Sequence, residues 1–130
     1  FPLATRLLLR LAAESGATAE EALEIGRDQG RSDGRRATPP CLDAVVERLA
    51  TLGFDPAVVE TELGATVAFT HCPFRELAEA HPDLVCSLHR GLVEGFVDRL
   101  GGAEVVEFRS VAHRDPCQVE LASPVAGAAR

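Results

Sequence analysis

Thiols and imidazoles are unevenly distributed along this chain of 130 residues. Three of the four cysteines and all four histidines fall within residues 71–117. Cys86 and His89 are spaced i and i+3, which on a helix places both side chains on one face. Thiolate and imidazole are ligands that zinc prefers, and they also hold iron–sulfur clusters. We therefore take Cys72, Cys86 and Cys117 as candidate metal ligands.

The spacing of these cysteines does not by itself define a site. Thirteen and then 30 residues separate the three candidates, and no CxxC pair occurs. A free cysteine often packs as a small apolar side chain, so cysteines that are merely packed are the alternative. For the fourth ligand we rank His89 first because of its neighbour Cys86. His113, which lies in a predicted turn, and His81 are the alternatives.

No catalytic constellation accompanies these residues. The sequence lacks a phosphate-binding glycine loop, an HExxH motif and a serine-centred elbow. A Cys–His nucleophile pair needs an orienting group and an oxyanion hole, and the sequence identifies neither. We predict that the chain is not an enzyme and has no catalytic residues.

Composition excludes several classes of protein. Apolar residues make up 46% and charged residues 25%, as in a folded globular domain. The net charge of −7 opposes DNA binding by this segment itself, since phosphate neutralisation needs a basic surface. No apolar run approaches the roughly 20 residues of a membrane span, and no signal peptide is evident. We expect a cytoplasmic protein without membrane association, in which cysteines are metal ligands more often than disulfides.

Helical patterns dominate the N-terminal part. Helices are predicted at 2–14, at 18–36 and at 41–52, the second opening with a capping box in which Thr18 is followed by Glu21. Residues 37–40 form a linker. Gly26, Gly30 and Gly34 make a smooth stripe, which either packs closely against another helix or marks a frayed, solvated one.

The remainder predicts an α+β fold: N-terminal helices followed by a ββ–αα–ββ module, with an antiparallel sheet covered by a long helix. The hairpins are 58–60 with 65–70 and 104–111 with 118–121. A short helix spans 74–80, and the long helix runs from Pro82 to Gly101. Its apolar stripe of Leu84, Leu88, Leu92, Phe96 and Leu100, backed by Val85, Val93 and Val97, is predicted to pack on the sheet. We expect a helical linker or dimerisation segment at 1–36, an effector module at 37–122 and a disordered tail at 123–130.

Three blocks of sequence resemble a known bacterial group: HCPFRELA at 71–78, HPDLVCSLH at 81–89 and GLVEG at 91–95. They are similar to the C-terminal effector region of winged-helix transcriptional regulators of the ArsR and DeoR type, which include the SufR-like repressors of iron–sulfur assembly operons. The likeness spans most of residues 1–121.

The resemblance implies a homodimeric regulator that binds DNA through a winged-helix domain preceding Phe1, and a module that senses a metal or an iron–sulfur cluster. By position, the family's cysteines correspond to Cys72, Cys86 and Cys117. The SufR branch carries a His-x-Cys ending where this chain has His113-Arg114-Asp115-Pro116-Cys117, so both an iron–sulfur cluster and zinc stay open as cofactors. The alternative is a regulatory module that binds a small molecule in an apolar pocket between helix and sheet.

Overall fold

The computed structural model describes residues 2–62, 64–109 and 117–122. The predicted turn around His113 and the predicted tail lie outside the described residues. The described part contains five helices and a four-stranded antiparallel sheet, which confirms the α+β class. In chain order the elements are α1 (Leu3–Glu14), α2 (Ala19–Gly34), α3 (Cys41–Leu52), β1 (Pro56–Thr61), β2 (Gly64–Phe69), α4 (Arg75–Ala80), α5 (Pro82–Leu100), β3 (Glu104–Arg109) and β4 (Gln118–Ala122).

Local signals in the sequence set most of the helix ends. The Thr18 hydroxyl accepts a hydrogen bond from the Glu21 backbone at 3.1 Å, and the Glu21 carboxylate accepts one from the Thr18 backbone at 2.9 Å. This pair confirms the predicted capping box. Helix α3 ends at Gly53, whose φ of +94° suits a residue without a β-carbon. Strand β1 begins two residues before the prediction, because Pro56 continues the ladder opposite Phe69.

The sheet has the strand order β1-β2-β4-β3, so each predicted hairpin contributes one central and one edge strand. The central strands β2 and β4 alternate buried and half-buried residues, as expected when one face is covered. Val67 lies opposite Val119 at the centre of the sheet, and both are fully buried. The covered face packs against residues of α3 and α5 to form the main core.

Helix α5 packs on the main core with only part of its predicted apolar surface. Val93, Phe96 and Val97 belong to the main core, whereas Leu88 and Leu92 do not belong to it in the described part and are only half-buried. The prediction that Leu88 and Leu92 face the sheet was wrong, because α5 has two neighbours and its Leu88–Leu92 side lies against α2.

Helices α2 and α5 touch through glycines. A β-carbon placed on Gly30 would lie 2.3 Å from the Leu92 carbonyl oxygen, and one on Gly95 would lie 2.2 Å from that of Arg27. Such approach is open only to glycine, so the stripe packs closely rather than fraying. Beside this contact the Arg27 guanidinium donates to the mostly buried Glu94 carboxylate at 2.8 Å.

Candidate metal centre

The four residues predicted as metal ligands line one small cavity. Its volume is about 10 Å³, and Cys72, Cys86, His89 and Cys117 all contribute to its wall. Aromatic and aliphatic side chains, among them Phe108, complete the lining. Residues far apart in the sequence are therefore brought to a common place by the packing of α5 on the sheet.

Each cysteine of this group comes from a different part of the fold. Cys72 is half-buried in the connection between β2 and α4, and Cys86 is half-buried near the start of α5. Cys117 is buried immediately before β4, and its carbonyl oxygen accepts a hydrogen bond from the Phe69 N–H at 2.9 Å. This bond attaches the Cys117 backbone to the end of β2.

His89 is enclosed by aromatic rings and is only 4% exposed. Its imidazole stacks on Phe54 with ring centroids 4.1 Å apart and an interplanar angle of 17°. Phe69 lies at 4.6 Å, and Phe108 meets the imidazole edge-on at 5.1 Å. This enclosure could not be predicted from the sequence. The three phenylalanines come from the α3–β1 connection, β2 and β3, and they form no local motif.

The environment of His89 determines its chemical form. Burial lowers the pKa of its imidazole to about 3, so the ring is neutral at physiological pH. A neutral imidazole keeps a lone pair on one ring nitrogen, which is the form that binds metal. Its Nε2 atom is buried without a hydrogen-bond partner among the described residues. A buried polar atom left in this way costs about 1–3 kcal/mol and calls for an explanation.

The half-buried Cys72 is not activated as a nucleophile. Burial raises the pKa of the Cys72 thiol, and the opposing effects of the Phe74 backbone N–H and the Arg75 charge are smaller. Cys72 is therefore a protonated thiol at neutral pH, and coordination would have to displace its proton. Cys41 lies elsewhere, at the start of α3 in the main core, where burial raises its pKa as well.

Lining a common cavity is a weaker condition than coordinating a common ion. Within residues 2–62, 64–109 and 117–122, no three His, Cys, Asp or Glu side chains form a group that could hold a metal ion as they stand. The donor set nonetheless fits zinc chemistry, since three thiols and an imidazole make a common tetrahedral ligand combination. Coordination would require the side chains to turn further into the cavity.

The alternative fourth ligands differ in where they fall. His81 separates α4 from α5 and does not line the cavity. Its backbone N–H donates to the Leu77 carbonyl at 2.8 Å, and its own carbonyl accepts from the Val85 N–H at 3.0 Å. His113 lies outside the described residues. Of the ranked histidines with a described position, His89 is the one at the cavity.

The chain matches no protein-family model, no curated protein and no solved structure. No helix of the described part is long and apolar enough to cross a membrane. The likeness to winged-helix regulators therefore stays a prediction.

Proposed function

We propose that this chain is the sensor module of a dimeric bacterial transcriptional regulator, and that it binds a metal ion or an iron–sulfur cluster. Cys72, Cys86, Cys117 and His89 are the proposed ligands. The observation that carries the proposal is the cavity that all four side chains line, together with the unpartnered Nε2 atom of His89. Ring stacking accounts for the packing of the imidazole, but it supplies no partner for Nε2.

The size of the cavity favours a single ion over a cluster. A volume of about 10 Å³ is close to the cavity space that a single water molecule needs. A cluster needs several times this space and would force α5 away from β4. Bound zinc would join the β2–α4 connection, α5 and β4, and its binding would add directly to the stability of the fold.

The chain's own residues supply the rest of the proposed site. The three phenylalanines enclose the His89 ring, and this burial keeps the ring uncharged. Each thiol must lose its proton, which makes the proposed affinity fall as the pH falls.

Helix α5 is the proposed route from the site to the rest of the regulator. It carries Cys86 and His89 near its start, and further along it packs against α2 through backbone contacts at Gly91 and Gly95. Because backbone meets backbone at these glycines, a displacement of α5 would move α2 with it. The proposed DNA-binding domain would precede α1 and α2.

A second candidate is a small-molecule-binding module whose cysteines are only packed. The absence of three converging ligand side chains in the described residues favours it. The two cavities that His89 lines, however, measure about 10 and 20 Å³, and each is too small for an organic ligand in this conformation.

Cobalt(II) titration of the reduced protein separates the two candidates. Thiolate ligands give an intense near-ultraviolet charge-transfer absorption, so the wild type should show it at one equivalent of cobalt. Cys72→Ser, Cys86→Ser and Cys117→Ser should each weaken it. Cys41→Ser is the matched control, since Cys41 is buried but does not line the cavity. An absent band, or an unchanged band in all variants, would support packed cysteines.

We also propose that the chain forms a homodimer, as the resemblance implies. Helix α1 offers an apolar surface for it: Leu3, Leu7, Leu8 and Leu11 are 52–66% exposed, and no residue of this helix is fully buried. Sedimentation equilibrium of wild type and Leu7→Asp tests this, with Thr5→Asp as the control on the same helix. A monomeric wild type would contradict the proposal.

A further inference from the structure

A larger cavity, which none of the cysteines lines, opens between the C-terminal end of α2, the following linker and α3. Its volume is about 370 Å³, which is within the range of small-molecule sites. Asp33, Arg36, Thr38, Arg48 and Thr51 supply its polar wall. The side chains of Ala37, Ala44 and Phe96 supply an apolar one.

Arg48 lines this cavity, and only part of its guanidinium is paired. Its Nη2 atom donates to the Asp33 carboxylate at 2.9 Å. Its Nε atom is buried beneath the surface and has no hydrogen-bond partner among the described residues. A bound molecule would therefore meet the terminal nitrogens of the guanidinium, for which an anionic oxygen is the strongest acceptor.

The neighbouring acid is not available for this role. Asp33 is only 11% exposed at its side chain, and its carboxylate already accepts from Arg48 and from the Gln29 amide at 3.1 Å. Arg36, which also lines the cavity, forms no ion pair with any described residue and is exposed. Two guanidinium groups therefore line the cavity: that of Arg36, which has no ion-pair partner among the described residues, and that of Arg48, which is paired with Asp33 through Nη2.

The remaining lining selects the kind of anion. Glu47 lies on the same wall and opposes a multiply charged phosphate more than a single carboxylate. The apolar wall accommodates a short hydrocarbon body, which an inorganic ion lacks. We infer that this cavity binds a small organic monocarboxylate, with its carboxylate at Arg36 and Arg48 and its apolar part against Ala44 and Phe96.

This inference is independent of the proposed metal site, although both involve α5. Phe96 follows His89 by about two helical turns on that helix. Loss of metal binding in a cysteine variant would therefore leave the carboxylate result intact, and the reverse also holds.

Titration of the full chain with hexanoate, followed by ¹H–¹⁵N correlation spectra, tests the inference. We expect saturable shifts at Thr38 and Thr51, no saturable shifts with the uncharged hexanamide, and weaker binding of inorganic phosphate. Arg36→Gln should weaken hexanoate binding about tenfold, since it removes a charged donor. Arg35→Gln, an exposed neighbour that does not line the cavity, should leave it unchanged.

Three results would overturn the inference. These are the absence of saturable shifts with hexanoate, equal binding of hexanoate and either control ligand, and equal weakening in the Arg35 and Arg36 variants. Because Arg36 is exposed, its replacement removes the charge without disturbing the core.

Discussion

Replacing Gly30 by alanine tests the close contact between α2 and α5, because two physical effects predict opposite signs. Helix propensity alone favours alanine over glycine by up to about 1 kcal/mol in a helix interior. In the fold, the added β-carbon would lie 2.3 Å from the Leu92 carbonyl oxygen, whereas ordinary van der Waals contact begins at 3.4 Å. The helices would have to separate by roughly 1 Å, which close-packed interiors resist.

The size of the change in stability depends on which atom the added β-carbon meets. Overpacking of a well-packed interior costs about 1–3 kcal/mol, and a backbone atom cannot rotate aside as a side chain can. Because the atom in the way is backbone, the cost lies in the upper part of this range, and after subtracting the gain in propensity we expect Gly30→Ala to lower the free energy of unfolding by about 1–2 kcal/mol. Urea unfolding at 25 °C, followed by circular dichroism, measures this difference.

Gly34→Ala is the matched control on the same helix. Its added β-carbon would meet nothing closer than the Phe96 carbonyl oxygen and the Arg99 Cβ, both at 3.0 Å, so a shift of a few tenths of an ångström relieves the contact. We expect a loss smaller than that of Gly30→Ala. A Gly30→Ala protein as stable as the wild type, or more stable, would refute the close contact.

Three further changes test the cap, the core and the buried histidine. Thr18→Ala should lower the free energy of unfolding by about 1 kcal/mol through loss of the α2 cap. Thr18→Ser keeps the capping hydroxyl and should retain most of the stability of the wild type. Phe54→Ala should lower it by about 3–5 kcal/mol because Phe54 is fully buried, against less than about 0.5 kcal/mol for Val59→Ala at the exposed edge strand. The pKa of His89 falls from 6.5 to about 3 on folding, so the unfolded chain binds the additional proton between these values. Relative to His89→Phe, the metal-free wild type should therefore lose stability as the pH falls below 6.5, with a slope of about 1.4 kcal/mol per pH unit and none above. Urea unfolding checks all three. Equal stabilities of Thr18→Ala and Thr18→Ser, or of Phe54→Ala and Val59→Ala, would contradict the cap and the core contact. The same pH slope in the wild type and in His89→Phe would contradict the buried neutral histidine.

Local sequence signals predicted most of the fold. The Thr18 capping box and the left-handed Gly53 cap are determined by a few neighbouring residues, and the helix ends follow from them. The pairing of β2 with β4 brings together segments distant in the chain, and no local pattern specifies it. The same holds for the side of α5 that faces the sheet, because its apolar residues extend around more than one face.

The sequence predicted the residues of the candidate site but not the side chains that surround them. Cys72, Cys86, Cys117 and His89 were chosen by residue type and helical spacing, and they line one cavity. The phenyl rings around His89 could not be predicted, since the elements that carry them meet only in the folded sheet. The unpartnered Nε of Arg48 was likewise invisible, because burial without a partner is a property of packing alone.

Elemental analysis of the anaerobically purified protein determines whether the proposed site of Cys72, Cys86, Cys117 and His89 holds metal. We expect close to one zinc ion, or stoichiometric iron accompanied by acid-labile sulfide, per chain, with the metal lost in Cys72→Ser, Cys86→Ser and Cys117→Ser and retained in Cys41→Ser. The volume of the cavity favours zinc among these outcomes. A folded wild-type protein that contains neither zinc nor iron would contradict the account, and the cysteines would then be packing residues of the core.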